Sequence, residues 1–213
     1  MGPRLLPPLS STPKAKAVTE PPLEDRGAQW MLQFQQGDER AFDNIVDEYQ
    51  GVVFNMFRRL LGPHALIEDM AQEAFVRLYR SRDRYQPSGK LATFLYRITY
   101  NLALNRVRDD KRKPTSTLPR AEDGTPLALL DPKTGAPEDS SHHQDWADLI
   151  GVALTELPEN QRAALVLQHY DGLDLVEIGE VLQISPKAAK SLLHRAREKM
   201  RSLLQPFKDA EQD

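Results

Sequence analysis

Residues 175–201 read LVEIGEVLQISPKAAKSLLHRAREKMR, and this stretch decides the fold of the chain's second half. Apolar residues recur every three to four positions, the period of an amphipathic helix. The spacing predicts a short helix over 175–182, a tight turn at Gln183-Ile184 and a second helix from Pro186. Ser185 is an N-cap residue, and proline suits the first helical position because the missing N–H is an orphan donor there. Two helices joined so closely need a small residue where they touch, and Gly179 supplies one. Ile178, Val181, Leu182, Ile184, Ala189, Leu192, Leu193 and Ala196 anchor the pair inward. Lys187, Lys190, Ser191, Arg195 and Arg197 fall on the outer face of the second helix. A helix-turn-helix with a basic outer face suits the major groove of DNA. The competing reading is an amphipathic helix with a solvated charged face.

Working outward, the same periodicity predicts helices over 146–157 and 158–170, with Pro158 at a first helical position. In the first half, Asp38 caps a helix carrying Phe42, Ile45, Val46, Tyr49, Val53, Phe57 and Leu60, which Gly62-Pro63 ends. A second helix runs over 67–80, a loop containing Pro87-Ser88-Gly89 follows, and a long helix occupies 91 to about 111. No segment alternates with a period of two. The fold class is therefore all-α.

Proline marks the boundaries, since helices tolerate it poorly. Of 16 prolines, six lie in residues 1–22 and five in 114–137. The first stretch reads as a disordered tail (1–23) and the second as a flexible linker (114–144). Two small helical domains result, 24–113 and 145–206, followed by a short tail, 207–213. Charge divides likewise. The chain's net charge is only −3, yet 91–113 carries +4, 185–201 carries +5 and 114–148 carries −5. A near-neutral total hides two basic helices separated by an acidic linker.

On the 91–113 helix, Arg97, Tyr100, Asn101, Asn105 and Arg108 share a face, followed by Lys111, Arg112 and Lys113. Cations hold phosphates, while amides and aromatics meet exposed bases, a combination suited to opened DNA. The competing reading is a core helix whose basic end complements its C-terminal dipole. On the 67–80 helix, Asp69, Gln72, Glu73 and Val76 form a polar, acidic face. By itself that is an ordinary solvated surface.

In this order the three motifs resemble one family. Asp69-x-x-Gln72-Glu73-x-Phe75-x-Arg77-Leu78 resembles the core-polymerase-binding helix of bacterial sigma-70 factors. Phe94-Leu95-Tyr96-Arg97-Ile98-x-x-Asn101-Leu102-Ala103-Leu104-Asn105 resembles their promoter-melting and −10-reading helix. Leu157-Pro158-x-x-Gln161-Arg162 through Lys190-Ser191-x-Leu193-His194-Arg195-Ala196-Arg197 resembles the fourth sigma region, which reads the −35 element. The short spacing resembles the extracytoplasmic-function (ECF) group.

The resemblance implies a sigma region 2 bundle over 24–113 and a region 4 helix-turn-helix over 145–206. It implies that Asp69, Gln72, Glu73 and Val76 bind core RNA polymerase. The −10 element would fall to the 81–90 loop with Arg97, Tyr100, Asn101, Asn105, Arg108, Lys111 and Arg112. The −35 element would fall to Lys187, Lys190, Ser191, Arg195 and Arg197. The implied function is promoter recognition, DNA melting and transcription initiation. The implied partners are core polymerase, promoter DNA and an anti-sigma factor. The chain departs from the family at four places. Gln183 stands where the turn usually has Gly, and Gly179 where it usually has Ala. Leu192 stands where Arg is frequent, and Lys187-Ala188-Ala189 where Gly-Thr-Val is. Its −35 preference therefore does not follow from typical members.

Other functions fit less well. Cysteine is absent, which excludes disulfides, thiolate zinc sites and cysteine nucleophiles, and fits a reducing compartment. No apolar run approaches the roughly 18 residues a membrane span needs, and Leu5-Leu6-Pro7-Pro8-Leu9 is too short and proline-broken for a signal core. A cytoplasmic chain without membrane insertion is expected. There is no phosphate-binding glycine loop and no nucleophile elbow, so no enzyme, cofactor, metal or small-molecule substrate is expected. His142-His143 in the linker does not make a metal site. Two alternatives stay open: a stand-alone helix-turn-helix regulator and a sigma-like decoy for an anti-sigma factor. A stand-alone regulator has no reason to carry the Asp69–Leu78 motif.

Overall fold

The computed structural model describes residues 25–62, 64–112 and 140–210. The expected tail 1–23, residues 114–139 of the expected linker and the last three residues lie outside the described residues. The described residues form eight helices and a single 3-10 turn, with no strand. The helices are α1 (Arg26–Gln35), α2 (Glu39–Leu61), α3 (Ile67–Arg80), α4 (Leu91–Arg112), α5 (Ser140–Thr155), α6 (Glu159–His169), α7 (Leu175–Leu182) and α8 (Pro186–Ala210). The 3-10 turn, Arg82–Arg84, lies in the expected loop before α4.

Asp25 starts two helices at once. One carboxylate oxygen accepts from the Gly27 N–H (3.1 Å) and caps α1. The other accepts from the Leu91 N–H (2.6 Å), the first residue of α4. Gly27 permits the close approach, because a Cβ there would lie 2.5 Å from the Tyr49 hydroxyl and 3.0 Å from Leu91 Cβ. A lost cap costs about 1 kcal/mol. Asp25→Ala is therefore expected to lower stability by about 2 kcal/mol, read as a lower urea midpoint with an unchanged slope. An unchanged midpoint would refute the double cap.

Asp38 caps α2 through the Arg40 N–H (3.1 Å), and Gly62 ends it at φ 72°. Phe34, Ile45, Phe57, Leu78, Leu91 and Leu95 fill the centre between α1, α2, α3 and α4, each essentially inaccessible to solvent. In the second half, Val166, Leu167, Ile178 and Leu193 join α6, α7 and α8. A smaller cluster of Leu154, Leu157 and Ala196 packs α5 on α8.

The sequence expectation does not include α1 (Arg26–Gln35), and three further details differ from it. Pro158 is the N-cap of α6, at ψ 142°, rather than its first helical residue. α5 begins at Ser140, inside the stretch expected to be linker, because its polar first turn carries no apolar signal. α8 continues through Pro206 to Ala210, beyond the expected end at Leu204.

The two halves also meet. α7 packs against α4, and α5 and α6 pack against α2. One continuous apolar cluster runs from Met31 in α1 to Leu193 in α8.

Candidate polymerase and nucleic-acid interfaces

α3 buries Ile67, Met70, Ala74, Phe75 and Leu78, which leaves its opposite face to solvent. Asp69, Gln72 and Val76 are exposed there, and Glu73 is partly so. Glu73 accepts from Arg77 Nε at 2.7 Å, an i,i+4 pair on the surface. Val76 (40%), Tyr79 (44%) and Leu66 (36%) are large apolar side chains left open beside these carboxylates. The structure thus brings all four predicted docking residues together and adds an apolar component that the sequence reading did not single out. Tyr79 is held by Phe34 and Phe42, with ring centroids 4.9 and 5.2 Å away.

The loop after α3 and the first turns of α4 enclose a cleft of about 50 Å³. Tyr85, Lys90, Phe94 and Arg97 line it, with Glu180 entering from α7. Tyr85 meets Phe94 edge-on at 5.5 Å, and the Arg97 guanidinium lies 5.0 Å from the Phe94 ring. Gln35 from α1 fixes the loop by donating to the carbonyls of Arg82 (2.6 Å) and Tyr85 (2.8 Å). An aromatic floor beside a cation can hold a splayed base by stacking.

Farther along α4, Asn101 is half-buried, while Asn105, Arg108, Lys111 and Arg112 are exposed. Tyr100 departs from the expected open face. It is buried, and its hydroxyl donates to Asn160 Oδ1 of α6 at 2.7 Å. Lys111 donates to Glu159 at 2.5 Å and holds that carboxyl below its usual range.

The helix-turn-helix is locally over-determined. Asp174 accepts from the Val176 and Glu177 N–H groups (2.8 and 2.9 Å), and Glu177 reaches back to the Asp174 N–H (3.0 Å), a capping box. A Cβ on Gly179 would lie 2.8 Å from the Ile184 carbonyl oxygen, so the turn accepts only glycine there without moving backbone. Gln183 ends α7 in the left-handed region, φ 57° and ψ 44°. A side chain there costs roughly 1–2 kcal/mol, against the 0.5–1 that glycine loses in backbone freedom. Gln183→Gly is therefore expected to raise stability by about 0.5–1 kcal/mol in thermal unfolding; a loss would contradict the strain.

Ser185 Oγ accepts from the Ala188 N–H (3.2 Å) and starts α8. Ala189, Leu193 and Ala196 are buried under it, and Lys187, Lys190, Ser191, Arg195 and Arg197 are all exposed together. Arg195 donates to the Ser191 carbonyl (3.3 Å), and Arg197 to Gln168 Oε1 (2.5 Å). The sequence reading missed the side chains that reach from the second half onto the first. Asn160, Asp171, Glu177 and Glu180 carry no periodic signal that sets them apart from solvated polar residues.

An all-α chain with an exposed basic face on the second helix of a helix-turn-helix, and a separate cleft lined by cations and aromatic rings, has the build of a protein that binds nucleic acid. Residues 45–113 match the family model Sigma-70 region 2, and residues 147–200 match Sigma-70, region 4. The chain is 36% identical over 176 residues to the ECF RNA polymerase sigma factor SigW of Bacillus subtilis, covering 81% of this chain and 93% of SigW. It is 30% identical over 179 residues to the ECF RNA polymerase sigma-E factor of Escherichia coli K12, covering 81% of this chain and 91% of that one. Among solved structures it resembles CnrH in complex with the cytosolic domain of CnrY, with TM-score 0.60, 24% identity and coverage of 85% and 99%. It also resembles the sigma factor RpoE bound to the anti-sigma factor NepR from Bartonella quintana, with TM-score 0.58, 19% identity and coverage of 77% and 96%. The chain belongs to the sigma-70 family, in its extracytoplasmic-function group, and is a sigma factor that directs transcription initiation. Among the described residues no helix is long and apolar enough to cross a membrane.

Proposed function

We propose that three surfaces divide the work of initiation. Asp69, Gln72, Glu73 and Val76 on α3 dock on a basic surface of core RNA polymerase. The loop before α4 takes up a −10 base, and Arg97, Asn101, Asn105, Arg108, Lys111 and Arg112 hold the opened strand, with Tyr100 joining them when it is uncovered. Lys187, Lys190 and Ser191 read the −35 element, while Arg195 and Arg197 hold phosphates. The chain forms and breaks no covalent bond. Binding energy for the open strand shifts the duplex equilibrium, and the polymerase performs the chemistry. The protein works in the cytoplasm, where the polymerase and its template are. The sigma factors it resembles were solved with CnrY and with the anti-sigma factor NepR, and an anti-sigma partner is proposed here too.

The observation that carries this reading is the order of the surfaces: an exposed acidic–apolar face on α3, a cation-lined cleft on α4 and an exposed basic helix α8, in one chain. In vitro transcription with core polymerase and fragmented genomic DNA tests it. Mapped starts should share two upstream elements at constant spacing. Random starts, or promoter binding that needs no polymerase, would contradict it.

A further inference from the structure

The loop between α3 and α4 does not set its own shape. Past the 3-10 turn at Arg82–Arg84, residues 85–89 make one backbone hydrogen bond among themselves, from the Ser88 N–H to the Gln86 carbonyl (2.8 Å). A segment with so few bonds of its own takes its conformation from whatever holds its ends.

Both ends are held by α1. At the start, Gln35 Nε2 donates to the carbonyls of Arg82 (2.6 Å) and Tyr85 (2.8 Å). At the end, Asp25 accepts from the Leu91 N–H (2.6 Å). Asp25 caps α1 and Gln35 is its last residue, so the two anchors lie about 15 Å apart at 1.5 Å per helical residue. The run from Arg82 to Leu91 would reach roughly 30 Å if extended. α1 therefore holds the loop to about half its reach, and the loop must fold over.

The fold-over makes the cleft. Tyr85, whose carbonyl Gln35 holds, is buried and meets Phe94 edge-on at 5.5 Å, and both rings line the cleft. The corner of α1 and α2 holds the same turn a second time. The Arg82 guanidinium lies over the Phe34 ring at 4.9 Å and pairs with Glu39 at 3.3 Å. The chemistry at position 35 is specific. Two carbonyls facing one side chain need two N–H donors, which a carboxamide supplies without bringing in a charge. A glutamate of the same shape would set an acceptor against two acceptors. Neither Gln35 nor Asp25 is among the residues that line the cleft.

Resting on the −10 assignment above, we infer that Gln35 and Asp25 are positioning residues for −10 recognition: α1 is the frame across which the base loop is hung, and the residues at its two ends fix the shape that selects the base. A site discriminates only when its walls are held to within about half an ångström, and hydrogen bonds behind the walls do that holding. α1 acts through Tyr85 and Phe94, and so contributes to promoter choice from behind the cleft.

Transcription in vitro by the full chain with core polymerase tests this, on one promoter library randomised at the −10 element and another at the −35 element. Phe94→Ala first marks the position that the cleft reads, as the −10 base whose preference it changes. At that position Gln35→Met, which keeps the side chain's length and removes both donors, should cut discrimination between bases by about tenfold, out of the roughly five- to 150-fold that a good base contact provides. Gln35→Glu should cut it further, and Gln35→Lys, which restores N–H donors, should recover part of it. Asp25→Ser keeps an N-cap for α1 but is too short to reach Leu91, and should weaken discrimination at the same position. The −35 ranking should be unchanged in all of these Gln35 and Asp25 variants. A merely structural role would lower every promoter in both libraries by one factor. That result, or an unchanged −10 ranking in Gln35→Met, overturns the inference and leaves the −10 assignment standing. If Phe94→Ala changes no −10 preference, the −10 assignment itself falls, and the inference with it.

Discussion

Glu73→Arg is expected to weaken binding to core polymerase by about 2–3 kcal/mol, on the order of 30- to 150-fold. The residue lies on the solvent face of α3 beside exposed Val76, with Asp69 and Gln72 on the same side. Reversing its charge against a basic partner replaces an attraction by a repulsion and leaves a cation to desolvate. The fold should scarcely notice. The substitution removes the surface pair with Arg77 and sets two cations four residues apart, each worth about 0.2–0.5 kcal/mol. Competition against wild-type chain for a limiting amount of core enzyme measures the effect, with helicity and unfolding midpoint as controls. Glu73→Gln should fall between the two. Equal competition by Glu73→Arg would remove α3 from the docking surface.

Lys187→Ala and Lys190→Ala should each change which −35 sequences are used, whereas Arg195→Ala should weaken all of them alike. Lys187 and Lys190 lie in the first two turns of α8, behind the Ser185 cap, where base edges are within reach. A good base contact discriminates by roughly 1–3 kcal/mol, a five- to 150-fold change in ranking. Arg195 lies one to two turns farther on and folds back on the Ser191 carbonyl, a geometry that suits phosphate. Its loss should lower activity uniformly and reduce the salt slope by about one. Leu192 has no hydrogen-bonding group, which leaves less readout to mid-helix. A promoter library with randomised −35 positions reads both effects. Uniform loss at Lys187 and Lys190, with reordering at Arg195, would reverse the assignment.

Much of the fold was legible because each helix has one buried face. Val166 and Leu167 in α6, Ile178 and Val181 in α7, and Leu193 and Ala196 in α8 repeat at helical spacing and point inward. The turn between α7 and α8 was legible for a sharper reason: Gly179 meets the Ile184 carbonyl, and few residues fit there. The contact between the halves was not legible. A helix's period reveals one apolar face but not a second face that docks elsewhere. Tyr100 shares its side of α4 with Arg97 and Asn101, so it reads as a DNA contact until Asn160 is seen to hold it. The joint role of Asp25 was hidden because its second partner, Leu91, lies 66 residues away. The cleft was half legible. The loop around Pro87 was expected, but Tyr85 and Phe94 as its aromatic walls depend on how Gln35 folds that loop.

In the proposed division of surfaces, α4 meets DNA only after the duplex opens. Asn105 is exposed and Asn101 half-buried on the helix that follows the base cleft, and neither amide should touch bases while the duplex is closed. Permanganate footprinting of melted thymines, run beside a heparin-free binding assay for the closed complex, measures this with Asn101→Ala and Asn105→Ala. Thymine reactivity is expected to fall by about tenfold or more, a hydrogen-bonded base contact being worth roughly 1–3 kcal/mol, while closed-complex binding stays near wild type. Equal loss of both complexes would mean that these residues support the fold or the duplex, and would contradict that division.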